Sequence, residues 1–370
     1  MAGLVFRNIT KQLDDGAALR NFSLEIDDGE FVALVGRAGC GKAELIRMAE
    51  GYGGQYEGDV YINASRVARF RRGLPAASLI NDTPLMGTPR REIARLLRRA
   101  GARPAEIQTR IEDAAAELDA RHVIDARYSR LAPDGKLLAG MVRARATGAN
   151  VVLFIDPFDG MGSRMAARMR LAVKEFHART KTAFVMSTHA GNVALSLATR
   201  VVVLEKGRIR QSDTPQNVYD YPADRFVAEY FGNALINIIP ATLARTGDEV
   251  YAEFGENRIL VPAGKLSKLI DAKYVGNRVL MGVRPENIHY EQAFLSVSPE
   301  SAVEASVRHV EIMGSETYLH TSLPGIDSDV IARVDPRCIA SPGDRMTLAI
   351  DLNRIHFFDE RTEESILCRI

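Results

Sequence analysis

The sequence predicts an α/β fold, with a P-loop nucleotide-binding domain and a helical insertion, followed by an all-β domain built as a small barrel. Three observations lead to this prediction. A glycine-rich loop ending in a lysine directly follows the buried apolar strand at residues 32–35. Apolar runs of strand length alternate with helical stretches up to about residue 198, which is typical of a doubly wound parallel sheet. Beyond Gly232, short strands are separated by proline and glycine turns.

Composition excludes several classes of protein. The 370 residues are 46% hydrophobic, which suits a folded chain of two or three domains. A formal net charge of +1 gives no overall field to attract nucleic acid, so no nucleic-acid partner is expected. Three scattered cysteines favour a reducing compartment. No apolar run is long enough to span a membrane, and Arg7 stands among the N-terminal residues, where a signal peptide would be apolar. The sequence therefore predicts a cytoplasmic chain that meets a membrane only through a partner.

The elements are predicted in chain order from periodicity and turn residues. Short strands are expected at residues 4–9, 22–26 and 58–63, with the P-loop strand and a helix at 44–49 between the second and the third. Apolar spacing at i, i+3 and i+4 predicts a helical insertion from residue 88 to about residue 120. Its many arginines are interpreted as a solvated face.

The stretch VALVGRAGCGKAE, residues 32–44, matches most of a P-loop. Glycines let successive backbone N–H groups curl around phosphates, and the lysine reaches the outer phosphates. Ala43 stands where a P-loop has a metal-binding hydroxyl, and Glu44 adds a negative charge close to the phosphates. The alternative is an ordinary tight turn from strand to helix. The predicted nucleotide-contacting residues are Gly36, Arg37, Ala38, Gly39, Cys40, Gly41, Lys42, Ala43 and Glu44.

Two further apolar runs, residues 151–155 and 183–186, predict central strands of the parallel sheet. The first ends at Asp156 and the second at the turn that contains His189. Helices are expected at 163–177 and 191–198. Because parallel strands present their carboxyl ends at one edge, these turns and the P-loop are predicted to share a ligand-binding edge.

With these residues in view, the chain resembles the ATP-binding cassette ATPases that power importers of sugars, glycerol or glycerol phosphate. The most specific stretches are residues 206–232, GVRPENI at 282–288, MGSET at 313–317 and PGDR at 342–345. The resemblance covers nearly the whole chain. It implies a cassette domain at 1–234, with a helical subdomain at about 82–134, and an OB-like regulatory (TOBE) domain at 235–370.

The resemblance also assigns roles to single residues. It places Asp156 at the catalytic glutamate and His189 at the histidine that holds the γ-phosphate, and Asn81 at the glutamine that senses the metal. Leu13 replaces the aromatic residue that stacks on adenine, and Ile155 replaces the aspartate that binds Mg²⁺. The segment LAPDG, residues 131–135, stands in place of the family's LSGGQ; a proline and an acid at a helix start explain it equally well. No metal-ligating residue is predicted.

These departures lead to the functional hypothesis. The chain is expected to be a catalytically degenerate subunit that binds ATP weakly, with Mg²⁺ doubtful at its own site. Its expected partners are a second, more complete cassette subunit, the permease subunits and, indirectly, a substrate-binding protein, at the cytoplasmic face of the cell membrane. The alternatives are an active homodimeric transport ATPase and a regulatory module that does not hydrolyse ATP. The transported substrate is not encoded in these motifs.

Overall fold

A computed structural model describes residues 2–12, 18–67, 77–80, 87–232, 234–271 and 274–367. The chain divides into two compact units, Met1–Pro215 and Gln216–Ile370. Two residues of the predicted site, Leu13 and Asn81, lie outside the described residues. In the described part of the chain, no helix is long and apolar enough to cross a membrane.

The elements of the first unit follow the predicted alternation. Its strands are β1 (Ala2–Gln12), β2 (Ala18–Asp27), β3 (Phe31–Val35), β4 (Glu57–Ile62), β5 (Ser65–Arg66), β6 (Ala77–Ile80), β7 (Val151–Ile155), β8 (Ala183–Thr188), β9 (Arg200–Glu205) and β10 (Arg208–Asp213). Its helices are α1 (Lys42–Glu50), α2 (Pro89–Arg99), α3 (Pro104–Glu117), α4 (Arg121–Ile124), α5 (Pro133–Thr147), α6 (Ser163–Thr180) and α7 (Gly191–Leu197).

A six-stranded sheet, in the order β10-β9-β3-β8-β7-β6, is the centre of this unit. Its strands run parallel except for the edge strand β10, which is antiparallel to β9. Every residue of β3 is buried, as expected of a strand covered on both faces. The loop after β3 therefore lies at the same edge as the carboxyl ends of its neighbour β8 and of β7, the next strand in the sheet, and the predicted α/β fold is confirmed.

A second sheet, antiparallel in the order β2-β1-β4-β5, belongs to the same core. One apolar cluster joins Phe6 and Phe22 of this sheet to Leu45 of α1 and Leu34 of β3. Burial at this density stabilises a fold at about 25 cal/mol per Å² of apolar surface removed from water. Helix α1, which follows the glycine-rich loop, is thus fixed on its apolar face.

The helical region consists of α2, α3, α4 and α5. Thr88 caps α2 by accepting a hydrogen bond from the Arg91 N–H, and Pro89 and Pro104 begin α2 and α3, where a missing N–H costs nothing. Arg90 binds Glu112 on α3 and Asp125 after α4. The sequence analysis interprets the arginines of this region as a solvated face. Arg90 instead links α2 to α3 and to the residue that follows α4.

The second unit is predominantly β-structure. Its strands are β11 (Asn237–Thr246), β12 (Glu249–Phe254), β13 (Asn257–Leu260), β14 (Arg278–Val283), β15 (Ile288–His289), β16 (Ala302–Ile312), β17 (Thr317–Ser322), β18 (Val330–Val334), β19 (Arg345–Ile350) and β20 (His356–Asp359). Helices α8 (Pro215–Asp220), α9 (Arg225–Tyr230), α10 (Ala263–Asp271) and α11 (Gln292–Val297) accompany them. Two antiparallel five-stranded sheets, in the orders β13-β12-β11-β14-β20 and β15-β19-β16-β17-β18, enclose one apolar core. This confirms the predicted all-β domain.

Residues 216–234 lie before the predicted domain boundary at 234/235, but they belong to the second compact unit. Arg284, only 2% exposed, donates hydrogen bonds to the carbonyl oxygens of Phe231 at 2.6 Å and Tyr219 at 2.9 Å. Its guanidinium also lies 3.8 Å from the centre of the Tyr219 ring. The predicted boundary at 234/235 therefore lies within the second unit, because a buried arginine of the barrel satisfies the carbonyl groups that end α8 and α9.

Candidate functional site

The glycine-rich loop between β3 and α1 has the backbone that its sequence predicts. Gly36, Gly39 and Gly41 have φ of 153°, 76° and 98°, a region that favours glycine. A Cβ on Gly36 would lie 2.2 Å from the Leu204 carbonyl oxygen, so packing forbids a side chain there. Arg37 accepts a backbone hydrogen bond from Cys40 at 3.3 Å, which closes the turn. The loop curls back over the N-terminus of α1.

Lys42 is the first residue of α1 and only 8% of it is exposed. Its Nζ donates hydrogen bonds to the carbonyl oxygens of Gly36, at 3.0 Å, and Arg37, at 3.3 Å. The ammonium group is therefore held inside the curve of the loop, at a helix N-terminus whose N–H groups also favour an anion. This arrangement fits a phosphate group.

Glu44 is less repulsive than the sequence predicted. Its carboxylate binds Lys11 of β1, and it accepts a hydrogen bond from Arg47 at 2.8 Å. Partial burial alone raises the pKa of Glu44, but the hydrogen bonds and charges of Lys11 and Arg47 outweigh it and hold the pKa below its ordinary value. Two cations thus surround one anion, and the local charge is positive. Lys11 also donates to the Gly53 carbonyl oxygen at 2.9 Å, which fixes it there.

Sequence reasoning missed Lys11 because it stands 33 residues before Glu44 and lies on strand β1, whereas Glu44 lies on helix α1. The antiparallel pairing of β1 with β4 brings the end of β1 beside α1. An acidic residue in the first turn stabilises a helix through the helix dipole, and this role of Glu44 could be inferred from the sequence. Nothing in the spacing of the two residues indicated the ion pair.

Ala43 and Ile155, the two positions at which the resemblance expects Mg²⁺ ligands, offer no side-chain oxygen. Ala43 occupies the second position of α1, and Ile155 ends β7 opposite Ser187 of β8. Ile155 packs against the apolar cluster of the first unit. Magnesium takes oxygen ligands, so these two positions do not fit the ion.

Asp156 and His189, the two predicted catalytic residues, are in contact. The Asp156 Oδ1 lies 2.9 Å from His189 Nδ1 and accepts a hydrogen bond from the His189 backbone N–H at 3.2 Å. Because a carboxylate only accepts, Nδ1 carries the proton in this contact. Asp156 has a φ of 39°, and its N–H continues the ladder to the Ser187 carbonyl oxygen at 2.9 Å. The Asp156 carboxylate therefore points toward the end of β8, while the backbone keeps the register in which β7 pairs with β8.

Asp159 was not among the predicted site residues. Its Oδ1 lies 4.0 Å from His189 Nε2, on the side of the ring opposite Asp156. Ligand atoms of Asp156, Asp159 and His189 all lie within 4.8 Å of one another, although the sequence predicted no metal-ligating residue. Asp159 and His189 are exposed. A signal was present in the sequence, since Asp159 is close to Asp156 in the loop that follows β7.

The segment LAPDG forms the start of α5. Ala132 is the N-cap residue without a side-chain hydrogen bond, and Pro133 is the first helical residue. Asp134 in the first turn complements the helix dipole. These residues make a sound helix start, and Pro133 removes one N–H from the set that an anion would meet there.

Three family models match the chain in succession. A model of the ABC transporter family matches residues 19–158, a model of the MalK OB fold domain matches 236–288, and a model of the TOBE domain matches 281–358. Together they cover the glycine-rich loop, Asp156 and the sheets of the second unit.

Curated relatives match over the full length. The chain is 31% identical to the oligosaccharides import ATP-binding protein MsmX of Bacillus subtilis, over 99% of this chain and 100% of that protein. It is 29% identical to the sulfoquinovosyl glycerol transport ATP-binding protein SmoE of Agrobacterium fabrum, with the same coverage. It is also 29% identical to the sn-glycerol-3-phosphate import ATP-binding protein UgpC of Cupriavidus metallidurans, over 99% of each chain.

A solved structure shows the same fold. The structure of cbiO1 from Clostridium perfringens, part of the ABC transporter complex cbiONQ, aligns with a TM-score of 0.52 and 16% identity, over 59% of this chain and 90% of that one. The chain belongs to the ABC transporter ATPases, in the group that carries MalK-type OB and TOBE domains.

Proposed function

We propose that this chain is the ATP-binding subunit of an importer for a sugar or polyol, and that its own nucleotide site binds ATP weakly and hydrolyses it poorly. It works at the cytoplasmic face of the membrane, beneath permease subunits that receive substrate from a binding protein. Its relatives, the import proteins named above, support this class of substrate. A second, more complete cassette subunit supplies most of the turnover.

The observation that carries the proposal is Ile155. An aliphatic side chain that packs into the apolar core ends the strand where the family places a metal-binding carboxylate. Its neighbour in function, Ala43, offers no hydroxyl. Removing a group from a preorganised site that stabilises charge costs on the order of 100-fold in rate, and two such losses act on the same ion.

Phosphate binding rests on other atoms. Gly36, Gly39, Gly41 and Lys42 would hold the phosphates, together with the backbone of Arg37, Ala38 and Cys40. ATP, when bound, supplies the phosphoanhydride whose cleavage drives the family's transport. Lys42 must exchange its two carbonyl partners for phosphate oxygens, and the cationic pair around Glu44 offsets the negative charge of that carboxylate. Binding is therefore expected to be weak rather than absent.

A heterodimer explains how a chain with these losses at its own site can still take part in transport. In this family two cassettes pair head to tail, so each site uses the helix start of the other subunit. This chain's α5 start, with Pro133 and Asp134, would face the partner's nucleotide. A complete partner makes the losses at this chain's own site compatible with transport.

Co-purification from the native membrane tests the architecture. The full chain is tagged at one end, extracted in mild detergent and isolated, and the associated subunits are identified by mass spectrometry. We expect permease subunits and one additional ATPase with an intact metal aspartate. Isolation with permease subunits and only further copies of this chain would contradict the heterodimer.

The alternative of an active homodimeric ATPase is favoured by one observation. Asp156 and His189 are in hydrogen-bond contact, as two residues that act together at the γ-phosphate should be. Steady ATP hydrolysis by the chain alone, proportional to the fraction of dimer in sedimentation, would select this alternative. A chain that stays inactive as a dimer selects the degenerate subunit.

A further inference from the structure

A pair of histidines faces one another across the hairpin of β16 and β17 in the second unit. His309 and His320 are register partners, and their ring centroids lie 6.4 Å apart at an interplanar angle of 75°. His309 is exposed and His320 is half-buried. Side chains of directly opposed strand residues stand on the same face, with Cβ atoms about 5 Å apart.

A β-bulge puts the first of these histidines on that face. The pairing of β16 with β17 is regular at Val307, which opposes Thr321, and it shifts between Val307 and His309. Strict alternation from the buried Val307 would turn His309 toward the core. The extra residue, Arg308, lets His309 face outward opposite His320, and Val310 resumes contact with the core. Bulges commonly re-aim a side chain in this way.

Glu311 completes the cluster. It follows His309 by two residues on β16 and opposes Tyr318, so it lies on the outer face beside His320. Its Oε2 is 3.7 Å from His320 Nε2, and 59% of its side chain is exposed. One carboxylate and two imidazoles therefore lie on the same solvent-accessible patch of the hairpin.

These separations come close to those of a shared metal ligand set. Two atoms that each bind Zn²⁺ at its usual bond lengths in tetrahedral geometry are about 3.4 Å apart, close to the His320–Glu311 separation. Two imidazoles on one tetrahedral Zn²⁺ have ring centres about 5 Å apart. The ring centroids of His309 and His320 are 6.4 Å apart, so the exposed His309 side chain must rotate toward His320 for both imidazoles to reach one ion.

We propose that His309, His320 and Glu311 form a binding site for a divalent transition metal ion on the outer face of the second unit. Two imidazoles and one carboxylate suit Zn²⁺, Ni²⁺ or Cu²⁺, while Mg²⁺ and Ca²⁺ prefer oxygen ligands alone. The bound ion ties β16 to β17 and leaves positions for water or for one more ligand. This site is separate in sequence and function from the nucleotide site.

Titration calorimetry of the untagged full chain with ZnCl₂ tests the site. All titrations use the His189→Ala background, which removes the imidazole ligand from the Asp156, Asp159 and His189 group. We expect a single site whose affinity falls about tenfold or more in His309→Ala and in His320→Ala, since even the loss of a supporting group around a metal costs that much. Glu311→Gln should weaken binding less, because it removes one exposed ligand.

His122→Ala is the matched control, because His122 is exposed and lies on α4 of the first unit. Its Zn²⁺ affinity should equal that of the background. Thermal unfolding gives an independent measurement: Zn²⁺ should raise the unfolding temperature of the control more than that of His309→Ala, because the stabilisation by a ligand falls as its affinity falls. Equal Zn²⁺ affinity in the control and both histidine variants, or no Zn²⁺ binding by the background chain, would overturn the proposal.

Discussion

The ligand-binding edge predicted at the carboxyl ends of β3, β7 and β8 has two sides. The fold depends on these two sides to different degrees. On one side, the loop from Gly36 to Lys42 contains three glycines; on the other, Ala43 and Ile155 carry no side-chain oxygen. Gly36 faces the Leu204 carbonyl oxygen so closely that folding alone requires glycine. Ile155 is partly buried and packs against the apolar cluster of the first unit. The glycines of the loop are therefore explained in part by packing. The side chains at Ala43 and Ile155 bear instead on whether the site can bind a metal ion.

The largest expected effect comes from breaking the glycine side. Gly36→Ala puts a Cβ 2.2 Å from the Leu204 carbonyl oxygen at a φ of 153°. We expect the first unit to lose about 3 kcal/mol of stability, since a steric clash adds to backbone strain. Urea unfolding followed by circular dichroism measures the loss.

Gly264→Ala is the control for that substitution. Gly264 lies in α10 of the second unit, and an added Cβ meets nothing within 4 Å. Alanine is the better helix former, so this variant should gain about 0.5 kcal/mol. Equal, small effects from both glycine changes would mean that the loop tolerates a side chain and that chemistry alone preserves Gly36.

The second prediction concerns the lysine of the same side. Lys42→Ala removes the ammonium group that the loop carbonyls hold, so ATP affinity should fall about tenfold or more, which corresponds to about 1.4 kcal/mol. Fluorescence titration with a labelled ATP analogue measures it. Lys174→Ala, an exposed lysine on α6, is the control and should bind as the unchanged chain does. Unchanged affinity in Lys42→Ala would show that the loop is a packing element only.

The third prediction sharpens the metal side. Ala43→Ser and Ile155→Asp each restore one of two ligands for the same ion, so each alone should leave ATP affinity nearly independent of Mg²⁺. The double variant should show a clear Mg²⁺ dependence, because groups that act on one ion are not additive. Ala43→Ser with Ile155→Asn is the control, with a side chain of similar size and no charge. Full Mg²⁺ dependence in Ala43→Ser alone would show that Ile155 is harmless.

The smallest effect concerns the ion cluster of Lys11, Glu44 and Arg47. The pKa of Glu44 is lowered in the folded chain, so the cluster stabilises the fold fully above the unfolded value of about 4.3 and loses this contribution as pH falls through the folded value. Glu44→Gln should remove this part of the acid sensitivity, by less than about 1 kcal/mol. Urea unfolding at pH 6 and at successively lower pH compares it with Glu57→Gln, an exposed control on β4. An identical pH profile in Glu44→Gln and the unchanged chain would contradict the ion cluster.

Much of the fold was predictable because its signals are local. The strand predicted at residues 151–155 has the bounds of β7, since a continuous apolar run identifies it. The shared edge of the P-loop, Asp156 and His189 followed from the parallel order of central strands.

What escaped prediction depends on contacts between distant residues. The Lys11 partner of Glu44 and the carbonyl partners of Arg284 lie on elements far apart in the chain. The bulge at Arg308 leaves no mark in the alternation of β16 that can be read without knowing its partner strand. Periodicity identifies faces and elements, but it does not identify which element lies opposite.

We propose that the loop side of the edge binds nucleotide, while the absence of oxygen ligands at Ala43 and Ile155 prevents efficient turnover. The most direct test of this proposal is ATP hydrolysis by the purified chain alone with Mg²⁺, measured as phosphate release at saturating ATP with the Lys42→Ala variant in parallel. We expect negligible phosphate release that does not differ between the two proteins. Robust turnover by the unchanged chain that Lys42→Ala abolishes would contradict it.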